Sequence, residues 1–217
     1  MEYKEEQIVK KAEQFVYDKL SNEASGHDWW HIVRVRNTAS YIAKEEGANI
    51  FICELTALLH DMADEKLNDN PVQELNKIKH WLQQEGLSQE DISHIIKIIE
   101  TISFKGGGHE KVATLEGCIV QDADRLDAIG AIGIARCMAY SGNKGRLIHD
   151  PNMKARENLS QEEYRNGQDT AIMHFYEKLF KLKDLMNTNY GRKIAEKRHA
   201  YMKNYLEEFY AEWDGHC

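Results

Sequence analysis

The run Phe51-Ile-Cys-Glu-Leu-Thr-Ala-Leu-Leu59 is apolar on nearly every side of a helix, and it ends in His60–Asp61. A helix of that kind is a buried core element rather than a surface one. Ending it in an imidazole and a carboxylate leaves two polar groups at the edge of the core. A buried charge without a partner is expensive, so the pair requires a hydrogen-bonding network or a metal ion. The chain offers further ligands: His31, in Gly26-His-Asp-Trp-Trp-His31, and Asp124, in Gln121-Asp-Ala-Asp-Arg-Leu-Asp127. Two imidazoles with two carboxylates suit a borderline or hard divalent cation.

The rest of the chain reads as helix in most windows, with weak strand signals. The apolar spacing predicts a first helix over about residues 3–20 and a second from a cap at Asp28 to Gly47. It predicts a third over about Ile50–Met62 and a fourth opened by Pro71 and stopped at Gly86. Ser88 with Asp91 three residues on is a capping-box pattern for a fifth. Phe104-Lys-Gly-Gly-Gly-His109 must be a loop, since consecutive glycines favour neither helix nor strand. A sixth helix runs from Lys111 to about Tyr140, with a break at Gly130 or Gly133 allowed for. Residues 141–158 form the longest irregular stretch, and two amphipathic helices, about 160–186 and 190–213, close the chain. The expectation is an all-α, single-domain helical bundle over 1–217, with the site built from 27–65 and 122–127 and the last two helices packed on it.

Composition narrows the partners. A net charge of −8 argues against a nucleic-acid backbone as the main partner, because such binding runs on clustered Lys and Arg. It leaves room for a small phosphorylated ligand. No apolar stretch approaches the roughly 20 residues of a membrane span. Cys53, Cys118, Cys137 and Cys217 show no Cys-x-x-Cys pairing, and the amino terminus is not signal-like. A soluble protein of a reducing cytoplasm is expected, with no membrane partner.

Helical spacing gathers the chemistry. His27 and His31 are four apart and share a face, with Arg34 one turn further on. His60 and Asp61 are about 100° apart around a helix, so an ion between those directions can take both. Asp61, Asp64 and Glu65 gather at i, i+3, i+4, and Asp124 and Asp127 repeat the i, i+3 relation. An N₂O₂ set suits Mn²⁺, Fe²⁺, Co²⁺, Ni²⁺ or Zn²⁺. A structural histidine and solvated carboxylates are the plainer reading of each residue taken singly.

Gly26-His-Asp-Trp-Trp-His-Ile-Val-Arg-Val35, Leu58-Leu-His-Asp61 and Asp122-Ala-Asp-Arg-Leu-Asp-Ala-Ile-Gly130 resemble the signature blocks of the HD-domain metal-dependent phosphohydrolases. The blocks Ala171-Ile-Met-His-Phe-Tyr-Glu-Lys-Leu179 and Arg192-Lys-Ile-Ala-Glu-Lys-Arg-His199 resemble a narrower branch, the small bacterial YpgQ- and YedJ-like proteins. The resemblance implies an HD-type bundle in which His31, His60, Asp61 and Asp124 ligate a divalent ion, Mn²⁺ favoured and Mg²⁺ also admissible. It picks Asp124 over Asp122 and Asp127. It implies a catalytic role for Asp64, where relatives often read Glu-Asp and this chain reads Asp64-Glu65, so Glu65 shares the candidacy.

The implied activity is hydrolysis of nucleotide phosphoanhydrides, foremost (deoxy)nucleoside triphosphate to monophosphate and pyrophosphate. Phosphomonoesterase and alarmone hydrolase are the catalytic alternatives, and a ligand-sensing HD module without turnover is the alternative of a different class. Developing charge on phosphate calls for cations, and His27, Arg34, Lys105, Lys144 and Arg146 are the candidates. His94 and His109 lie between His60–Asp61 and Asp124 and would serve a two-metal variant.

Overall fold

The computed structural model describes residues 2–21, 28–64, 68, 70–102, 112–156 and 169–216. Among them the regular elements are α-helices and two short 3₁₀ segments, with no strand, as an all-α reading requires. The contacts divide the chain into two compact units, Met1–Ala123 and Asp124–Cys217.

In the first unit α1 spans Tyr3–Leu20, α2 Trp29–Glu46, α3 Ile50–Leu59, α4 Pro71–Gln84 and α5 Gln89–Ile102. Their ends are set by local chemistry. The Asp28 side chain accepts from the His31 amide to cap α2, and Gly47, at φ +71°, closes it in the left-handed conformation glycine tolerates. Asn49 caps α3 and Asn70 caps α4, with Pro71 at the first helical position. Ser88 caps α5 as its spacing predicts: the Asp91 amide donates to Ser88 Oγ at 3.0 Å, and the Ser88 hydroxyl donates to the Asp91 carboxylate at 2.7 Å.

Helix α3 is the centre of this unit, packed against α1, α2 and α5. Phe51, Ile52, Cys53, Leu55, Thr56, Ala57, Leu58 and Leu59 are all buried, every residue of α3 except Ile50 and Glu54. Each large apolar side chain so buried contributes roughly 1.5–3 kcal/mol. The helix therefore cannot slide or rotate without losing several such contributions, and the backbone leaving its carboxyl end starts from a fixed point.

Past Leu59 the structure departs from the expected continuation of the helix to Met62. The backbone tightens there into a 3₁₀ turn, His60–Ala63, closed by the Asp64 amide donating to Asp61 O at 3.1 Å. Three residues per turn swing successive side chains by about 120° rather than 100°. His60 and Asp61 therefore leave the chain in more widely separated directions than on an α-helix.

Helix α6, Leu115–Asp127, carries the chain across the division between units. In the second unit α7 spans Gly130–Asn143, α8 Ala171–Glu177, a 3₁₀ segment Leu179–Leu185 and α9 Asn189–Trp213. The expected long sixth helix is thus two. Gly130 sits at φ +77°, and a Cβ on Gly133 would come 2.3 Å from the Ala128 carbonyl oxygen, so the break needs glycine at both places. Part of the expected helix over 160–186 lies outside the described residues; the described part is α8 followed by 3₁₀ turns. The closing helix matches expectation almost to the residue. Helix α7 packs on α8 and α9 around Phe175, Ala195, Met202 and Leu206.

Candidate metal centre

His31 enters through the cap of α2. With its amide bonded to Asp28 Oδ1 at 2.7 Å, it occupies the first turn, and its side chain is buried, 1% exposed. His60 and Asp61 arrive on the 3₁₀ turn, 3% and 5% exposed. Asp124 arrives on α6, half-buried, on a helix whose Ile119, Val120, Ala123 and Leu126 are buried.

One donor atom from each of His31, His60 and Asp124 lies within 4.8 Å of the other two, and among the described residues this is the group whose geometry could hold a metal ion. Asp61 joins the two imidazoles: its Oδ2 is 3.3 Å from His31 Nε2 and its Oδ1 is 3.3 Å from His60 Nε2. The two rings are tilted by 60° to one another, with centroids 5.6 Å apart. His60 Nδ1 lies 2.7 Å from the Ala57 carbonyl oxygen, which fixes the ring.

These residues fit a divalent cation. Donors sharing one ion at about 2.0–2.2 Å lie about 3–4 Å from one another, so the three groups stand within a modest side-chain adjustment of that geometry. Two carboxylates balance a double positive charge, and two imidazoles make the set borderline in softness. Burial of the histidines and Asp61 removes the competing solvent that would otherwise screen the attraction.

The remaining candidates are more scattered. Asp127 is bound to Arg136, 2.7 Å away, and stands outside the converging group. Asp122 is fully buried and outside the converging group. Asp64 ends the 3₁₀ turn, half-buried, with its carbonyl accepting from Asn68 Nδ2 at 2.9 Å. Arg34 is half-buried on α2, one turn beyond His31. Lys144 projects over the Tyr140 ring at 5.7 Å, and Arg146 pairs with Asp169 at 2.9 Å. His94 stands 3.8 Å from Glu116 Oε2 and belongs to no converging group among the described residues. His27, Glu65, Lys105 and His109 lie outside the described residues.

Two features escape a reading of the sequence. Lys19, at the end of α1, donates to the Met62 carbonyl at 3.0 Å, directly behind the His60–Asp61 turn. In the second unit, Arg156 grips the buried Glu177 through its side chain and its backbone amide, each contact 2.9 Å. Burial pushes the Glu177 carboxyl up, but the Arg156 hydrogen bonds outweigh it and hold the group below its usual range. Neither pairing has a local spacing that could announce it.

The HD domain family matches residues 29–129, the span from the start of α2 to the end of the Asp124 block. YpgQ of Bacillus subtilis is 38% identical over 205 residues, 92% of each chain. A crystal structure of an HD-superfamily hydrolase from Bacillus thuringiensis superposes with a TM-score of 0.79 at 43% identity, covering 97% of this chain and 98% of that one. The crystal structure of B. subtilis YpgQ in complex with ADP superposes with the same TM-score of 0.79 at 35% identity, covering 96% of both. The chain belongs to the HD-domain superfamily of metal-dependent phosphohydrolases, in the branch that includes YpgQ.

Proposed function

We propose that this protein hydrolyses nucleotide phosphoanhydrides, converting (deoxy)nucleoside triphosphates to the monophosphate and pyrophosphate. The observation that carries the reading is the convergence of His31, His60 and Asp124 within 4.8 Å. Asp61, spanning both imidazoles, completes a set of four ligands for one divalent ion, Mn²⁺ by preference. The nucleotide part is supported by the ADP held by B. subtilis YpgQ, a relative matched over nearly its whole length. That length of match also supports treating the two units as one working domain.

Bound there, a divalent ion supplies Lewis-acid polarisation of a phosphate oxygen and acidifies a water molecule near neutral pH. The protein's own groups do the rest. His60 presents Nε2 because its Nδ1 proton is committed to Ala57 O. Asp64, or Glu65 beside it, accepts the proton that the attacking water loses. The water oxygen bonds to the α-phosphorus, the bond from that phosphorus to the bridging oxygen breaks, and pyrophosphate departs with the electron pair. Cations among His27, Arg34, Lys105, Lys144 and Arg146 would offset the charge on the departing group.

Incubation with a mixture of ribo- and deoxynucleoside triphosphates and Mn²⁺, with products separated by chromatography, tests the reading. Monophosphate and pyrophosphate in equal amounts are expected. Orthophosphate released from monophosphates alone would replace it with a phosphomonoesterase.

A further inference from the structure

Behind the 3₁₀ turn that carries His60 and Asp61, one ammonium group ties three separate segments together. Lys19, the penultimate residue of α1, donates to the Met62 carbonyl at 3.0 Å, to Asn68 Oδ1 at 2.8 Å and to Glu74 Oε2 on α4 at 2.7 Å. An ammonium has three protons, and here each has an acceptor. Asn68 repeats the grip from the other side: its Nδ2 lies 2.9 Å from the Met62 carbonyl and 2.9 Å from the Asp64 carbonyl. Both lone pairs of the Met62 carbonyl are therefore engaged, and the backbone is held on either side of Ala63. Lys77 bonds the second oxygen of Glu74 at 2.7 Å. These two lysines hold the Glu74 carboxyl below its usual pKa.

We infer that Lys19 is a positioning residue for the His60–Asp64 turn, acting through Met62 and Asn68 to fix where Asp61 and Asp64 stand. That role rests on the hydrolytic reading above. Its physical basis is the weakness of the turn by itself. A 3₁₀ segment has poorer hydrogen-bond geometry than an α-helix, and the last carbonyls of any helical run lack partners from within it. The Met62 carbonyl is such a group, and Met62 is 2% exposed. A charged donor makes a stronger bond to it than a neutral one. The arrangement is not simply a brace for the fold. Lys19 keeps 28% of its side chain exposed, in a surface cleft lined by Phe15, Asp18, Met62, Glu74 and Lys77. Water could therefore satisfy the same carbonyl if Lys19 were replaced, so its loss should loosen the turn more than it unfolds the unit.

The test compares Lys19→Met with the native chain and with Lys77→Met, which leaves all three Lys19 bonds in place. Amide hydrogen exchange of the metal-free protein, read by mass spectrometry on peptides spanning 58–64, needs no activity. Exchange there should rise about tenfold or more in Lys19→Met while peptides from α5 and α9 stay unchanged. With metal and nucleotide, kcat should fall about tenfold or more with KM within about twofold, as expected when a reacting group is misplaced and binding is not. Lys77→Met should match the native chain in both readouts. Unchanged exchange over 58–64 would overturn the inference, and so would a uniform rise across all helices, which is what a general stabilising role produces. If Lys19→Met does not fold, Lys19→Arg is measured instead, since a planar guanidinium cannot reproduce the three-way grip. Should the native chain hydrolyse no nucleotide, the proposed function fails, while the exchange result still decides whether Lys19 fixes the turn.

Discussion

His60 Nδ1 lies 2.7 Å from the carbonyl oxygen of Ala57, one turn back on α3. A carbonyl only accepts, so in the neutral ring Nδ1 carries the proton and Nε2 carries the lone pair. The core helix thereby does more than bury apolar surface: its backbone selects the tautomer that a metal site at Nε2 requires. Nitrogen NMR of the metal-free protein at neutral pH should report the Nδ1–H tautomer for His60. An Nε2–H tautomer there would contradict this arrangement.

Asp61 sets one carboxylate oxygen against each imidazole. In the proposed site, replacing it would remove a ligand and the negative charge that draws the ion in. Elemental analysis of native protein purified without chelator should find one divalent transition metal per chain, and Asp61→Ala should lose most of it. Two metals per native chain would instead favour a site drawing on His94 and His109.

Asp64 stands one turn past Asp61, outside the converging group. Asp64→Asn should leave metal content nearly unchanged and lower turnover by roughly 10²-fold or more, the scale for losing a general acid or base. Native turnover in that variant would move the role to Glu65.

The helices whose ends are marked by side chains are legible from the sequence. Asp28, Pro71 and Ser88–Asp91 all stand where the structure begins a helix, because helix starts are decided within a few residues. The His60–Ala63 turn is not, since apolar periodicity cannot distinguish α from 3₁₀ over four residues. The glycines near 130 allow a break between α6 and α7, but only the approach of Gly133 to the Ala128 carbonyl shows why one is needed there. Within the site, His31, His60 and Asp124 converge, while Asp127 stands apart, bonded to Arg136. Lys19 is invisible in the sequence because its partners lie 43, 49 and 55 residues away, and such a contact leaves no periodic trace.

The second unit carries its own pH dependence. Burial pushes the His174 imidazole down to about 4, helped by Lys178 and Arg146. A histidine whose folded pKa is lowered contributes stability above its unfolded pKa of about 6.5, and that contribution is lost as pH falls toward the folded value. The melting temperature should therefore drop between about pH 6.5 and pH 4, and His174→Gln should show a shallower drop over the same window. Parallel curves for the two proteins would assign the acid sensitivity to other groups.

The most direct test of the proposed reaction is the bond that water attacks. Hydrolysis of a nucleoside triphosphate in ¹⁸O-labelled water, with products resolved by mass, should place the label in the nucleoside monophosphate and release intact, unlabelled pyrophosphate. Label in orthophosphate, with the phosphates lost one at a time, would contradict it.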